Sequence, residues 1–360
     1  MSRVLLVGKG APDRGGIPTF LEDLLGGIVS REHDVTFLNV AHAGTPQGGN
    51  VTVGNLVRTL RDAWAIWRMA RHHDLVHINS AAAPGVTVAR AGLLAAAARA
   101  RRRAVVVHVH GGNVSTWLAS RRHRLLMRTA MAPVHRVVAV WNAGSVALTG
   151  VLGPERVRLV QNGVDPLKFA GPDVSHEPPR VLYVGLLTPR KGVLELIEAS
   201  ARLRGEGVDH ELRLLGGTPD EGPTAARPVL DAAEGKARLL GTLPPHEVPG
   251  VYAEADVFCL PSWWEAMPMS VLEAMAAGLP VVATDVGDVA RLVDDGRTGF
   301  VIPPRSPEQL VAALRKLLTD PARARAMGAE GRSRVQARFS AAVSARAVCE
   351  VYVEALAARR

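Results

Sequence analysis

Short apolar runs alternate with longer amphipathic segments along the whole chain. Runs of four to six residues rich in Val, Ile and Leu are typical of buried parallel strands, so the pattern predicts an α/β class. In the first half, the predicted strands are Val4–Gly8, Val35–Val40, Leu75–Asn79, Val105–His110, Arg136–Trp141 and Val157–Gln161. In the second half, they are Val181–Gly185, Glu211–Gly216, Ala237–Leu240, Val257–Leu260, Val281–Thr284 and Gly299–Ile302.

Segments of helical spacing lie between these runs. Pro18 opens a helix that is predicted to end near Val29, and a second helix over Leu56–Arg71 has one apolar face. The residues of that apolar face are Leu56, Leu60, Ala63, Trp67 and Ala70. The tail of the chain predicts three more helices, over residues 308–318, 322–338 and 341–358.

The length of 360 residues is too great for one ordinary core, and residues 162–179 have the Pro, Gly and Asp content of a linker. We therefore predict two doubly wound, Rossmann-like domains that face each other across a cleft. They span residues 1–167 and 168–340, and a C-terminal helix at 341–360 could pack back toward the first domain. Because doubly wound sheets bind ligands at the carboxyl ends of their strands, the active site is expected in the cleft.

Cysteine usage and hydropathy narrow the class of protein. Cys259 and Cys349 both lie in apolar runs, so neither a disulfide framework nor a Cys-rich metal site is expected. Residues 3–7 are too few for a signal-peptide core, and the apolar stretch 91–98 is too short to span a bilayer. These features predict a cytoplasmic protein.

Positive charge is concentrated in the first half of the chain. Residues 1–165 carry 20 Lys and Arg against 9 Asp and Glu, whereas the remaining residues carry 23 against 25. A basic half indicates a polyanionic partner, such as nucleic acid, an anionic membrane or a phosphorylated substrate, unless the arginines are merely tolerated on the surface. The basic clusters are Arg61, Arg68 and Arg71 around Trp64, then Arg99 with Arg101–Arg103, then Arg121, Arg122, Arg124 and Arg128. Arginine beside an exposed tryptophan favours a membrane interface over nucleic acid, although Trp64 could instead pack on a neighbouring helix.

The loop that follows the first strand could bind a phosphate. It is not a dinucleotide fingerprint, because Asp13 occupies the third glycine position and no acidic residue ends the second strand. Gly15 and Gly16 could instead let backbone N–H groups approach a phosphate, or they could simply form a tight turn.

Three histidines lie within or at the end of predicted strands of the first half. His110 is followed by a glycine pair, and it could hydrogen-bond a sugar hydroxyl or a developing charge, or be buried and bonded to backbone. His108 shares its face of the strand, and we interpret it as a structural residue, whereas the role of His77 stays open.

Charged residues follow two predicted strands of the second half. Arg190 and Lys191 precede a helix after the first of these strands, where they could clamp a diphosphate or simply be solvated. Glu265 lies in a loop and Glu273 on the helix that follows, eight residues later. That spacing corresponds to roughly 12 Å or more, so the two carboxylates could hold two hydroxyl-bearing ends of one ligand. A helix N-terminus between them would attract an anion. A ligand with hydroxyls at both ends and an anionic group in the middle is a nucleotide-diphosphate sugar.

The block from Glu265 to Thr284, EAMPMSVLEAMAAGLPVVAT, resembles the E-x7-E element of retaining GT-B glycosyltransferases of family 4, also called group 1. Other stretches agree with that family in the same order, so the resemblance covers nearly the whole chain. These stretches are Gly15-Gly16, His110, Val160–Asp165, Arg190–Gly192 and Asp294–Phe300.

The resemblance implies a role for each matching residue. Glu265 would hold hydroxyls of the donor sugar, Glu273 would hold the ribose, and His110 would contact the sugar. Arg190 and Lys191 would bind the diphosphate. Backbone groups would help near Gly15 and Gly16 and, in the second domain, near Met267, Pro268, Met269 and Ser270. The base would contact the main chain near Leu243.

The resemblance also implies transfer with retention, without a metal and without a protein nucleophile. The donor would be a UDP- or GDP-type sugar, and no other cofactor is expected. Two departures from the family pattern matter: Leu186 stands where many relatives have arginine, and Pro268 removes a backbone N–H donor.

The sequence therefore predicts a cytoplasmic transferase that acts on a glycan or lipid-linked acceptor in cell-surface synthesis. Such an enzyme could be peripheral at the inner face of the membrane. Two alternatives are a nucleotide-sugar 2-epimerase, which would need further acid and base groups around the sugar, and a non-catalytic nucleotide-sugar-binding protein. Loss of either glutamate or of both loop cations would favour the binding protein, and all four residues are present.

Overall fold

The computed structural model of the chain describes residues 1–13, 15–41, 52–81, 85–111, 113–169, 176–218 and 223–359. The chain forms two compact units. Unit 1 comprises Met1–Asn162 and Ala341–Arg360, and unit 2 comprises Gly163–Ser340. The sequence placed the division between residues 167 and 168. Residues 170–175 of the predicted linker and Arg360 of the predicted terminal helix lie outside the described residues.

Unit 1 is built on a six-stranded sheet of order β2-β1-β3-β4-β5-β6, in which every pair is parallel. Its strands are β1 (Arg3–Gly8), β2 (Asp34–Asn39), β3 (Leu75–Ser80), β4 (Ala104–Val109), β5 (Arg136–Ala139) and β6 (Val157–Leu159). All six were predicted, with ends displaced by one or two residues. The buried valines and leucines of β1, β3 and β4 make these strands two-sided core elements.

Helices cover this sheet. They are α1 (Gly16–Gly26), α2 (Ile28–Glu32), α3 (Val53–Ala70), α4 (Gly85–Arg99), α5 (Val114–Trp117), α6 (Arg121–Ala130), α7 (Asn142–Leu152) and α15 (Ala341–Ala357). The predicted helix from Pro18 to Val29 is in fact two helices, because the poor helix former Gly27 adopts an extended conformation between them. The terminal helix α15 packs in unit 1, where Val348 and Tyr352 join the core formed with β1 and α1.

The apolar face predicted for α3 is wrong in part. Leu56, Leu60 and Trp67 are 58%, 53% and 41% exposed, and the side of α3 that packs inward carries Ala63 and Ala70 together with other residues. Those other inward residues are Asp62 and Ile66. Asp62 can be buried because Arg90 of α4 forms a 2.7 Å ion pair with it. Spacing alone could not show which of two adjacent apolar arcs would meet α4.

Unit 2 contains a second parallel six-stranded sheet, of order β12-β11-β10-β7-β8-β9. Its strands are β7 (Arg180–Val184), β8 (Glu211–Leu215), β9 (Arg238–Gly241), β10 (Val257–Leu260), β11 (Val281–Thr284) and β12 (Gly299–Ile302). Its helices are α8 (Val193–Gly205), α9 (Pro223–Ala233), α10 (Val248–Ala253), α11 (Met269–Ala276), α12 (Val289–Leu292), α13 (Pro307–Leu318) and α14 (Pro321–Arg338). Among the helices that the structure describes in either unit, none has the length and apolar character needed to cross a membrane.

Candidate functional site

The strand order of unit 2 places two of the predicted loops side by side. The chain leaves β7 toward β8 on one side and later returns to β10 on the other, so the strand order reverses between β7 and β10. Ligands bind to open α/β sheets at such a reversal, beyond the carboxyl ends of the strands. The turn Pro189–Lys191 follows β7, and the Glu265 loop follows β10. The topology therefore brings together the residues that the sequence placed in separate motifs.

Lys191 and Glu265 form an ion pair at this reversal. The Lys191 ammonium donates to Glu265 Oε1 at 2.5 Å, and the hydroxyl of Ser262 donates to the same oxygen at 2.8 Å. Glu265 is 8% exposed and Ser262 is fully buried. Because an ammonium has three N–H donors, Lys191 can hold Glu265 and still donate to a phosphate oxygen. The sequence did not predict the pairing of these two residues.

The backbone of the Glu265 loop is held by neighbouring turns. Gly192 has a φ of 69°, and a Cβ there would clash with the carbonyl oxygen of Pro261. Gly287 has a φ of 59° and packs against the carbonyls of Glu265 and Ala266 in the same way. Only glycine suits both the left-handed conformation and the close approach, so these two glycines let the backbone of the Glu265 loop pack against its neighbouring turns.

Glu273 is fixed by a different partner. It lies on α11 at 9% exposure, and the buried hydroxyl of Tyr252 donates to its Oε2 at 2.7 Å. Burial and the adjacent Glu273 raise the pKa of Tyr252 well above its ordinary value, so the phenol stays protonated and remains a donor. Tyr252, on α10, is a positioning residue that no sequence pattern had indicated.

The segment between the two glutamates is the start of α11. Met267, Pro268 and Met269 are buried, and Ser270 is half-buried. Pro268 is the N-cap residue and its side chain makes no capping hydrogen bond. The first N–H groups of a helix lack intrahelical acceptors, so the N-terminus of α11 offers donors and a partial positive charge beside the loop of Glu265.

The other predicted donor-site residues of unit 2 differ in environment. Arg190 is exposed and its guanidinium has no ion-pair partner among the described residues, so it remains available to an anion. Leu243 is half-buried and lies two residues beyond the end of β9. Leu186, which replaces the arginine of many relatives, is half-buried between β7 and the Pro189–Lys191 turn.

In unit 1 the strand order reverses between β1 and β3, and the predicted residues lie near that reversal. Gly15 is the N-cap of α1 and has a φ of 116°, which a residue with a side chain rarely adopts. Gly15 and Gly16 are exposed, and the N-terminus of α1 has no side-chain cap. Backbone donors at this helix start could therefore meet an anion, and phosphate binding there stays a prediction.

His110 follows β4, and its ring is held on two sides. Its Nε2 lies 2.8 Å from Asn79 Oδ1, and its ring packs against Phe20 at a centroid distance of 4.8 Å. Its backbone N–H donates to Ser80 at 3.0 Å, which anchors it to the end of β3. Asn79 ends a predicted strand, so its position at the ligand edge could have been found from the sequence.

The His110 ring is one of three imidazoles that stack on one another in unit 1. The rings of His108 and His110 lie 4.4 Å apart, and those of His77 and His108 lie 5.3 Å apart. Burial lowers the pKa of His77 and of His110 to about 3, and it lowers that of His108 well below its ordinary value. His77 Nδ1 lies 2.8 Å from the hydroxyl of Tyr352 on α15. The stack is therefore uncharged at neutral pH.

Among the described residues, one group could hold a metal ion. It consists of Glu32, His33 and Cys349 in unit 1, whose ligand atoms lie within 4.8 Å of one another. His33 directly precedes β2, so this group lies at the amino end of a strand, away from the loops described above. That donor binding needs no metal stays a prediction.

Comparisons with known proteins cover most of the chain and agree with one another. Residues 14–167 match the model of the family described as Glycosyltransferase Family 4, and residues 166–334 match the family Glycosyl transferases group 1. The chain is 30% identical over 360 residues to the GDP-mannose-dependent alpha-(1-6)-phosphatidylinositol monomannoside mannosyltransferase of Mycolicibacterium smegmatis, covering 89% of this chain and 90% of the relative. It is 33% identical over 269 residues to the alpha-maltose-1-phosphate synthase of the same organism, covering 67% of each chain.

Solved structures share the fold. Sucrose-phosphate synthase from Thermosynechococcus elongatus superposes with a TM-score of 0.80 at 21% identity, over 99% of this chain and 100% of that one. Anabaena HepE, in complex with UDP and glucose, superposes with a TM-score of 0.75 at 17% identity, over 98% of this chain and 100% of that one. The two parallel sheets, the two family matches and the full-length relative together place this chain among the GT-B glycosyltransferases of group 1, also called family 4, which transfer sugar from a nucleotide sugar.

Proposed function

We propose that this protein is a retaining, metal-independent glycosyltransferase. It moves a sugar from a UDP- or GDP-type donor to a hydroxyl of a glycan or lipid-linked acceptor in cell-surface polysaccharide or glycolipid synthesis. The observation that carries the proposal is the buried cluster of Lys191, Glu265 and Ser262 at the strand reversal of unit 2. A fixed carboxylate beside a cation suits a donor whose sugar is polar and whose leaving group is anionic.

The described residues supply the parts of the reaction. Glu265 accepts hydrogen bonds from donor-sugar hydroxyls, and Glu273, held by Tyr252, accepts those of the ribose. Lys191, Arg190 and the N-terminus of α11 neutralise the charge that develops on the leaving diphosphate. The leaving phosphate takes the proton of the acceptor hydroxyl as the new bond forms on the same face of the sugar, so no protein nucleophile is needed.

The relatives support this range of substrates. One is named for GDP-mannose and a phosphatidylinositol mannoside, and HepE is described with UDP and glucose. A lipid-linked acceptor also suits the surface of unit 1. Six large apolar side chains of α3 are exposed within an arc of about 100°. They are Val53, Leu56, Val57, Leu60, Trp64 and Trp67.

Exposed arginines adjoin this apolar arc, which we call the α3 face. Arg61, Arg68 and Arg71 are exposed, and Arg68 and Arg101 lie over the rings of Trp64 and Trp67. An exposed apolar helix face rimmed by arginine and tryptophan suits the headgroup region of an anionic membrane. We therefore propose peripheral attachment through α3, at the cytoplasmic side, close to a lipid-linked acceptor.

The decisive test of the reaction is the stereochemistry of donor hydrolysis. UDP-glucose and GDP-mannose are incubated with the enzyme without acceptor, and the anomer first released is read by proton NMR before mutarotation. The α-anomer released from an α-linked donor supports retention, and the β-anomer overturns it. Conversion at C2 of the sugar would favour the epimerase, and binding without any turnover would favour the non-catalytic alternative.

Membrane attachment is tested by vesicle sedimentation. Binding to phosphatidylglycerol vesicles should exceed binding to phosphatidylcholine vesicles and should weaken as salt rises. The Trp64→Ala/Leu60→Ala variant and the Arg61→Glu/Arg68→Glu/Arg71→Glu variant should each lose binding while keeping nucleotide affinity. A matched triple reversal on α14 of unit 2, at Arg323, Arg325 and Arg338, should leave it unchanged. Equal binding to both vesicle types, or none to either, would contradict this attachment.

A further inference from the structure

We propose that Asn79 is a positioning residue that fixes the tautomer of His110, so that His110 meets the substrate as a neutral hydrogen-bond acceptor through Nδ1. No family pattern in the sequence pointed to Asn79. The inference deepens the proposed function, and its kinetic test rests on that function. The tautomer itself can be measured without any activity.

The orientation of the Asn79 amide follows from its two hydrogen-bond partners. One end of the amide lies 3.2 Å from the carbonyl oxygen of Val7, at the end of β1. A carbonyl oxygen can only accept, so the atom facing it must be the amide nitrogen. The opposite end, Oδ1, is therefore the atom 2.8 Å from His110. Asn79 is 7% exposed, which leaves it little freedom to turn.

The orientation of the Asn79 amide determines which nitrogen of the His110 imidazole carries the proton. Asn79 Oδ1 is an acceptor, so Nε2 of His110 must carry the proton and donate it. In a neutral ring the other nitrogen, Nδ1, then has a lone pair. Nδ1 has no hydrogen-bond partner among the described residues and is not enclosed, and the ring is half-buried. It is therefore the atom of His110 that an incoming hydroxyl can reach.

The surroundings of His110 also keep its ring uncharged. The His110 ring is packed against Phe20 of α1, and its stacked neighbours in β4 and β3 are His108 and His77. Burial lowers the pKa of His110 to about 3, and a proton on His110 would in turn lower the pKa of those two histidines. Tyr352 hydrogen-bonds His77 from α15 and stays a neutral phenol. No carboxylate among the described residues pairs with the ring, and the neutral amide of Asn79 is its one hydrogen-bond partner there.

These three steps limit what His110 can recognise. A neutral ring with a free Nδ1 lone pair binds a group that donates a hydrogen bond, such as a sugar hydroxyl. Through Nδ1 it cannot donate to a developing negative charge, so of the developing charges left open by the sequence it excludes that one. The Val7 carbonyl thus fixes the orientation of the Asn79 amide, and the Asn79 amide fixes the tautomer of His110.

The tautomer is tested by NMR on the full-length protein labelled with 15N-histidine. Long-range proton–nitrogen spectra distinguish a protonated ring nitrogen from an unprotonated one, and the His110→Ala variant identifies the signals. We expect Nε2 protonated and Nδ1 unprotonated, with no change between pH 8 and pH 5. A protonated Nδ1, or a titration near pH 6.5, would overturn the proposal whether or not the protein transfers sugar.

Substitution of Asn79 tests the functional consequence. In Asn79→Asp, a carboxylate beside Nε2 raises the pKa of His110, and the ring then takes a second proton on Nδ1. The pH profile of kcat/KM should gain an acid limb that the wild type lacks. Asn79→Leu should lower kcat/KM about 10- to 100-fold at every pH, the usual loss for a residue that orients another.

The matched control is Asn113→Asp, which adds the same charge three residues beyond His110 at an exposed helix cap without touching the ring. It should leave the NMR tautomer and the pH profile as they are. If Asn113→Asp produces the same acid limb as Asn79→Asp, the effect is general electrostatics and the proposal fails. If the NMR result holds but no donor or acceptor is turned over, the tautomer stands and the proposed function fails.

Discussion

Both units have residues at the same topological position of their sheet, but those residues are charged in unit 2 and uncharged in unit 1. Each has a parallel six-stranded sheet and residues at the point where the strand order reverses. In unit 2 that point holds a buried ion pair, Lys191 with Glu265, and a carboxylate bound by a phenol, Glu273 with Tyr252. In unit 1 it holds a stack of uncharged imidazoles that ends at His110.

With the roles proposed above, the difference would separate two tasks of the reaction. A leaving diphosphate gains charge during the reaction, so fixed cations and helix N–H groups are useful where it binds. A sugar hydroxyl carries no charge, and a neutral ring can recognise it without the cost of burying an ion. The predictions below test whether the two positions really depend on charge in these opposite ways.

The largest effect is expected from breaking the ion pair of unit 2. Lys191→Met would leave the Glu265 carboxylate buried without its cation, and removing one partner of a buried pair costs about 3 kcal/mol or more. Arg190→Met removes a neighbouring exposed cation and should change the free energy of unfolding by less than about 0.5 kcal/mol. Urea unfolding of both variants measures this. Equal stabilities would show that the pair is not a structural element.

The two glutamates should then separate binding from turnover. Glu265→Gln should lower kcat about 100-fold, since its contact is with the reacting sugar, and leave the affinity for free UDP or GDP intact. Glu273→Gln should weaken free nucleotide and donor alike, by about tenfold, because a charged hydrogen bond contributes roughly 1.5 to 3 kcal/mol. Calorimetry with the free nucleotide decides between them. Similar losses of nucleotide affinity in both variants would disprove the assignment.

The uncharged stack of unit 1 should respond to acid. An unfolded histidine takes a proton near pH 6.5, whereas His77 and His110 in the fold do so only near pH 3. Unfolding therefore binds protons below pH 6.5, so stability is complete above that pH and falls as the pH drops toward 3.

A substitution isolates this effect. Among the described residues, neither buried ring nitrogen of His108 has a hydrogen-bond partner, so His108→Leu removes one proton-binding group and two unsatisfied atoms. Between pH 7.5 and pH 5 the variant should lose about 2 kcal/mol less stability than the wild type. His246→Leu, an exposed histidine of unit 2, should behave like the wild type. Acid unfolding curves give the comparison, and identical slopes for wild type and His108→Leu would count against it.

The smallest expected effect is that of metal removal. In the proposed donor site, Lys191, Arg190 and the N-terminus of α11 would supply the positive charge that a metal would otherwise bring to the diphosphate. Initial rates with and without EDTA should therefore agree. Loss of activity in EDTA with recovery on adding magnesium or manganese would show that unit 2 lacks sufficient charge of its own.

Local patterns predicted most of the secondary structure correctly. All twelve strands were predicted, because a buried parallel strand is a short run of branched apolar residues with polar turns at both ends. The E-x7-E block also singled out Glu265 and Glu273 as candidate site residues, since both lie within one continuous segment; their roles stay a prediction. The inward face of α3 was predicted less well, because neighbouring arcs of Leu, Trp and Ala look alike until a second helix selects one of them.

The sequence by itself determined the class of fold, the division into two sheets, the family and the residues of the donor motif. Each of these features depends on a pattern of contiguous residues or on the order of such patterns along the chain. Only the tertiary structure decided which partners those residues take: Lys191 for Glu265, Tyr252 for Glu273 and Asn79 for His110. These pairs are 21 to 74 residues apart in the chain and become neighbours only through the order of strands in the sheets or the packing of helices on them. Burial then sets their hydrogen bonds and their charge, which no local pattern encodes.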